Sequence, residues 1–405
     1  MDKRPSKQAY IVLLAGLVLN LILGVLYSWS IFAKALLEQW DWSSSQTSMP
    51  YAIAIGFFAL GVMVAGKLQD KFGPRPIAMA GALLAGLGVF LASFASQTNT
   101  LPIVVGFGIL GGLGIGFGYA AATPPAVKWF GVAKKGLVTG IVVSGFGLAS
   151  IYIAPLTTYL ISSFGIAPTF RILGIIFMIV ATFCGSLLRD PPAEPSASDS
   201  TAIDRLDKEN GDFQVSEMLK TPRFYQMWFA YAFAAFAGLM IIGTMAKISA
   251  IQLPGSNLGF LLVATLALGN AGGRLLAGGL LDKIGSRTTM LIAFIGQAVA
   301  MGLLGFVHSL VLLIMLAIAI GALYGANLAI FPALTAEHFG TSTLGANYGV
   351  LFSAYGIGGI FGSVTAGKLF DLTGSYLPAF IVAAILCIVA ALLAPQASKP
   401  LRESR

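Results

Sequence analysis

Apolar runs of about 20 residues recur along the whole chain, separated by short polar breaks. A run of that length crosses the roughly 30 Å hydrocarbon layer of a bilayer as an α-helix. Twelve runs stand out, near 10–36, 46–68, 77–95, 101–126, 135–160, 168–188, 224–250, 257–281, 288–307, 310–334, 343–369 and 377–395. No stretch alternates apolar and polar positions as the strands of a membrane barrel would. Helices are then the remaining way to satisfy the backbone in lipid. The pattern predicts an all-α membrane protein of twelve transmembrane helices.

One long polar segment interrupts the series. Its first part, after "RDPP" at 189–192, is rich in Pro, Ser, Asp and Glu and reads as a solvated linker. "DFQVSEMLK" (212–220) reads as a short amphipathic helix on the membrane surface. The predicted organisation is a six-helix bundle at 1–188, a linker at 189–223 and a second six-helix bundle at 224–405. The halves repeat: "GKLQDKFGPR" (66–75) follows the second run and "GGLLDKIGSR" (278–287) the eighth, with a fainter "GKLFDLTGSY" (367–376) after the eleventh. Two pseudo-symmetric bundles of this kind can open alternately to either side of a central site.

Composition narrows the function classes. The chain of 405 residues is 57% hydrophobic and 10% charged, with a formal charge of +8. The excess charge does not read as a nucleic-acid surface, because it is sorted by side. Lys3, Arg4, Lys7, Lys71, Arg75, Lys128, Lys134, Lys135, Lys283, Arg287, Lys399, Arg402 and Arg405 fall on one face of the predicted topology, whereas loops 96–100 and 161–167 carry almost none. The positive-inside rule places both termini in the cytoplasm of a multi-pass protein of the bacterial inner membrane. The first run is too long for a cleaved signal peptide. Cys184 and Cys387 are isolated apolar-span residues, and His308 and His338 lack metal-ligand spacing. The Gly-rich stretches follow no strand, which excludes a dinucleotide site. No metal, cofactor or enzyme active site is expected.

The repeated loop resembles the signature of the major facilitator superfamily between helices 2 and 3 and between helices 8 and 9. "KWFGVAKKGLVTGIVVSG" (128–145) is similar to a signature of the monocarboxylate transporter family. "DFQVSEMLKTPRFYQMW" (212–228) and "GVLYSW" (24–29) resemble the oxalate:formate antiporter family. The resemblance covers essentially the whole chain. It implies a monomeric secondary transporter of small monocarboxylates, L-lactate and pyruvate foremost, working by proton symport and alternating access. An oxalate/formate-type anion exchanger is the alternative.

The residue that bears most on the chemistry is Arg274, in "LALGNAGGRLLAGGLLDKIG" (266–285). An arginine near mid-span costs roughly 2.5–3.5 kcal/mol on insertion scales. None of the 16 acidic residues lies inside a run. Arg274 is about 12 Å from Asp282 along a helix axis, a long reach for snorkelling. It bonds backbone carbonyls, or it meets a carboxylate supplied by the substrate, which a planar guanidinium grips with two hydrogen bonds. The resemblance implies the latter, since both families bind the anion through an arginine on helix 8.

Asn270, one turn away, is placed to orient the guanidinium or touch substrate. Animal monocarboxylate transporters tend to carry aspartate at the matching place. The resemblance also makes Tyr119, Leu26 and Tyr27 pocket residues. Tyr324, Asn327, Leu328 and Phe331 form one stripe of helix 10, either bundle core or site wall, with Tyr324 as a polar group and Phe331 as a lid. Tyr355 stands where the antiporter pattern has lysine, which leaves one central cation and favours one carboxylate over two. Phe352 would add an apolar wall. Asp70, Arg75, Asp282 and Arg287 of the repeated loops are gating candidates. Asp70, Asp282, Glu337 or the substrate itself are open as proton carriers. Lys34, Lys247 and Lys368 read as snorkelling lysines, or as attractors of anions to an outer vestibule.

Overall fold

The computed structural model describes the backbone of residues 6–130, 135–192, 213–340 and 344–397, without the side chains of 67, 70, 135–137, 282 and 395–397. Among the described residues, twelve helices are long and apolar enough to cross a membrane. They are α1 (Lys7–Trp40), α4 (Leu101–Phe130), α8 (Gly259–Leu281), α9 (Lys283–Leu304) and α11 (Leu344–Thr373), together with α2 (Ser44–Phe72), α3 (Pro74–Ala92), α5 (Lys135–Phe164), α6 (Ile166–Leu187), α7 (Pro222–Gln252), α10 (Leu310–Phe339) and α12 (Leu377–Ala397). No β-strand occurs among the described residues. Several helices outrun the apolar stretch that announced them. The helical hydrogen-bond ladder continues past the greasy segment into polar residues, as at the end of α2.

Local signals set the ends. Ser43 accepts from Gln46 N at 3.1 Å while Gln46 Oε1 accepts from Ser43 N at 2.8 Å, a reciprocal cap that starts α2. Thr221 caps α7 ahead of Pro222. In the two stronger repeats the chain turns at a glycine: Gly73 has φ 80 and ψ 171, Gly285 φ 78 and ψ 166. Only glycine adopts that region without strain. The fainter repeat ends α11 at Gly374 with φ 68 and ψ 9, a left-handed cap of a different kind.

Most of the expected linker, residues 193–212, lies outside the described residues. Its end is shorter in helix than expected, the single turn Val215–Met218. That turn is docked: Phe213 N donates to Phe339 O at 3.0 Å, and Asn347 Nδ2 donates to Phe213 O at 2.8 Å.

Helix α1 packs along α5 and α4, and α3 along α6 and α4. Helix α7 packs along α11 and α12, and the α8–α9 segment along α10 and α12. Between these two sets α2 lies against α11, α5 against α8, and the C-terminal part of α1 against α7. Irregular backbone occurs inside the first set, as the π-helical stretch Val104–Gly111 of α4, and also where the sets meet. Gly24–Ser28 in α1 is a 3₁₀ turn, α11 is interrupted at Phe352, and α10 carries Pro332 one turn beyond Leu328.

Candidate functional site

A narrow central cleft lies between the two sets of helices. Its walls are Tyr27 of α1, Phe58 of α2, Tyr119 of α4, Phe146 of α5, Arg274 of α8, Leu328 of α10, and Phe352 and Tyr355 of α11. These side chains close on one another with no room for a water-sized sphere. Tyr119 and Phe146 meet edge to face with ring centroids 5.1 Å apart, and Phe352 stacks on Tyr355 at 4.6 Å.

Arg274 is the one cation in this wall. Its Nε donates to Asn270 Oδ1 at 3.3 Å, one helical turn back. Its Nη1 donates to the carbonyl of Val143 on α5 at 3.0 Å. Nη2 is buried without a hydrogen-bond partner, and so is Asn270 Nδ2. The side-chain ion pairs among the described residues are Lys34–Glu38 and Lys128–Asp190, so Arg274 has no carboxylate there. Of the two possibilities left open by the sequence, the first, a bond to a backbone carbonyl, is present. One N–H bonds a backbone carbonyl, and a further donor edge stays unmatched beside an aromatic cleft.

Three hydroxyls meet next to it. Tyr324 donates to Tyr355 at 2.9 Å, and the hydroxyl of Tyr27 lies 3.2 Å from Tyr324 and 3.4 Å from Tyr355. Three O–H groups can circulate three hydrogen bonds, each donating once and accepting once. Tyr27 comes from α1 and the other two from α10 and α11, so the ring of hydroxyls bridges the two sets. Tyr27, Tyr119 and Tyr355 share the cleft wall with the guanidinium, and Tyr324 joins them through its bond to Tyr355.

Of the residues expected at the site, Arg274, Tyr119, Tyr27, Phe352 and Tyr355 share the cleft wall, while Asn270 and Tyr324 bond to members of it. Leu26 and Phe331 do not line it. Leu26 is fully buried beside Tyr27, and successive residues of a 3₁₀ turn point about 120° apart. Phe331 stacks on Tyr231 at 4.0 Å, one layer behind. Arg75 and Arg287 are exposed at their turns, and the side chains of Asp70 and Asp282 lie outside the described residues. Lys34 and Lys368 sit as expected at the helix ends, the first beside Glu38 at 3.7 Å and the second exposed.

Lys247 departs from its expectation. It does not snorkel: it is 3% exposed and bonds hydroxyls of α2, with the Tyr376 ring 5.9 Å from its Nζ. Phe58, Phe146 and the Val143 carbonyl were missed. Phe146 directly follows the 128–145 signature and carried a signal that could have been used. Phe58 is one more phenylalanine in an apolar run, and a backbone carbonyl leaves no mark in a sequence.

Comparison with known proteins agrees with this architecture. The chain is 30% identical over 363 residues to the uncharacterized MFS-type transporter YhjX of Escherichia coli (strain K12), covering 88% of this chain and 87% of that one. It is 28% identical over 410 residues to the oxalate:formate antiporter of Oxalobacter formigenes, covering 97% and 93%. It is 26% identical over 384 residues to monocarboxylate transporter 13 of Rattus norvegicus, covering 92% and 85%. In fold it is similar to a bacterial homologue of the human lysosomal transporter Spinster, crystallised in an inward-facing and occupied conformation, with TM-score 0.72, 16% identity and 99% of each chain covered. The Major Facilitator Superfamily model matches residues 11–254 and again 227–403, so this twelve-helix chain belongs to that superfamily of membrane transporters and is not an enzyme.

Proposed function

We propose that the protein carries small monocarboxylates, L-lactate and pyruvate foremost, across the bacterial inner membrane by proton-coupled symport with alternating access. The observation that carries this reading is the unmatched donor edge of Arg274 and Asn270 beside a cleft otherwise walled by aromatic rings and hydroxyls. A carboxylate there takes charge-assisted bonds from the guanidinium and removes a buried unpaired charge. Phe352, Phe146 and Leu328 suit a methyl or short alkyl group. One cation suits one carboxylate.

The halves 1–188 and 224–405, linked by 189–223, are the moving bodies. Anion binding neutralises Arg274 and lowers the cost of closing both halves around it. The repeated loops, with Asp70, Arg75, Asp282 and Arg287, face the cytoplasm with both termini and hold that side when it closes. The proton completes the charge balance of a symporter.

Exchange is the second reading, favoured by the full-length similarity to the oxalate:formate antiporter. Uptake into proteoliposomes separates the two. A symporter accumulates lactate in vesicles without internal substrate when the outside is acidic. An obligate exchanger takes it up only against an internal counter-substrate. Arg274→Gln in a well-folded protein removes lactate binding and uptake; retained affinity would refute the site.

A further inference from the structure

We propose that Lys247 is a second carboxylate-binding station, at the outer mouth of the path to Arg274, and that Tyr51 lies between the two. This inference rests on the carrier reading above and adds a site to it.

The geometry begins with a buried cation that has only neutral partners. Lys247 Nζ donates to Ser44 Oγ at 3.2 Å, Thr47 Oγ1 at 3.1 Å and Ser48 Oγ at 3.5 Å. An ammonium has three N–H donors, so the set is matched one to one. All three acceptors sit in the first turns of α2, in the first half, whereas Lys247 belongs to α7 in the second. The nearby carboxylate of Asp371 is engaged elsewhere: its two oxygens accept from Ser44 N and Ser45 N, each at 2.8 Å. Tyr376 completes the cluster, with its hydroxyl 3.1 Å from Ser44 Oγ. Any motion that parts α2 from α7 removes all three partners of Lys247 together. It leaves the ammonium on the wall of the widening mouth beside the Tyr376 ring, 5.9 Å away, where an incoming anion competes with Asp371, released from Ser44 N and Ser45 N by the same motion.

The cluster also points inward. Tyr51 lies one turn below Thr47, and Gly243 one turn below Lys247. The Tyr51 ring fills the place of the missing side chain at Gly243, where a Cβ would lie 2.7 Å from two ring carbons. Its hydroxyl is buried and has no hydrogen-bond partner. Phe58, seven residues and about two turns further along α2, lines the central cleft. A carboxylate leaving Lys247 therefore meets Tyr51, then the tyrosine ring, then Arg274. The orphaned phenol supplies a hydrogen-bond donor between the two stations.

The test is initial-rate uptake of formate, L-lactate and pyruvate by intact cells expressing Lys247→Gln, which keeps a polar group for the α2 hydroxyls. Equilibrium binding to the purified variant is measured in parallel. The expected result is a KM raised about tenfold with an unchanged equilibrium Kd. Wild-type KM should rise with ionic strength as the Debye length shrinks from about 30 Å at 0.01 M to about 8 Å at 0.15 M, and the variant's KM should be flat. Lys247→Arg should restore both. Wild-type KM and salt response in Lys247→Gln would overturn the proposal, as they would if Asp371 captured Lys247 once the mouth opened. A lowered maximal rate at unchanged KM would also overturn it, making Lys247 a latch alone. Arg274→Gln keeps the two readings apart: uptake that survives it sinks the central site, whatever Lys247→Gln does.

Discussion

Arg274 on α8 and the carbonyl of Val143 on α5 are joined by a 3.0 Å hydrogen bond that crosses from one half of the molecule to the other. The acceptor is main chain, so no substitution at 143 deletes it. A guanidinium tied on one side by Asn270 and Val143 is held in a fixed plane, which leaves its remaining donors pre-oriented for a planar carboxylate.

The Asn270 contact gives the first prediction. Asn270→Asp places a carboxylate one turn from Arg274 and supplies the charge partner that the helix lacks. It should compete with substrate, so uptake at neutral pH falls by tenfold or more, corresponding to at least about 1.4 kcal/mol. Acidification should restore part of it, because protonating the introduced carboxyl releases the guanidinium. The pH profile of lactate uptake is the measurement, and a profile parallel to wild type would contradict this competition.

Charge counting gives the second. Tyr355 is 1% exposed and its hydroxyl touches Tyr27 and Tyr324. Tyr355→Lys brings a second cation to the cleft and should shift preference from lactate toward oxalate. A carboxylate panel read by thermal shift or scintillation proximity checks it. Weaker lactate binding without a gain for oxalate would mean that shape, rather than charge number, sets selectivity.

How much of this was open to sequence reading depends on the range of the physics. Twelve helices, the loops around Gly73 and Gly285, and an Arg274 with no carboxylate partner among the described residues follow from local pattern and from the cost of charge in lipid. The burial of Lys247 does not. Its partners Ser44, Thr47 and Ser48 lie some 200 residues away in a short polar stretch that reads as a helix cap. Leu26 and Tyr27 are neighbours that a one-dimensional match cannot separate, and only the local turn decides which one faces the cleft.

The third prediction concerns the outer contact. Asp371 of α11 caps the first turn of α2 through Ser44 N and Ser45 N. A carboxylate at a helix N-terminus contributes about 0.5–2 kcal/mol in caps of this type. Asp371→Ala should therefore shift the molecule toward an open outer mouth by a factor of about 2–30, taking that range as the free-energy difference. A cysteine introduced at Ser48, itself 3% exposed, reports the change by its labelling rate with a membrane-impermeant maleimide. Equal labelling with and without Asp371 would show that the cap does not hold the mouth shut.

The fourth prediction uses a void shaped for one ring. Gly243→Ala adds a single methyl, but it meets the Tyr51 ring at 2.7 Å, closer than carbon atoms pack, and across the contact between α7 and α2. Inside one rigid half, such a clash would mainly cost stability. Between two moving halves it should instead prop the mouth open and slow the return of the carrier. Gly243→Ala is expected to keep substrate binding and lower the transport rate, while labelling at Ser48→Cys speeds up. Tyr51→Leu, a smaller residue without the planar ring, should relieve the clash and recover part of the rate in the double variant. Recovery shows that the lost transport came from ring against methyl. If Tyr51→Leu alone transports at the wild-type rate and the double variant is still no better than Gly243→Ala, the small residue at 243 serves the packing of α7 itself, and the contact with Tyr51 does not govern closure.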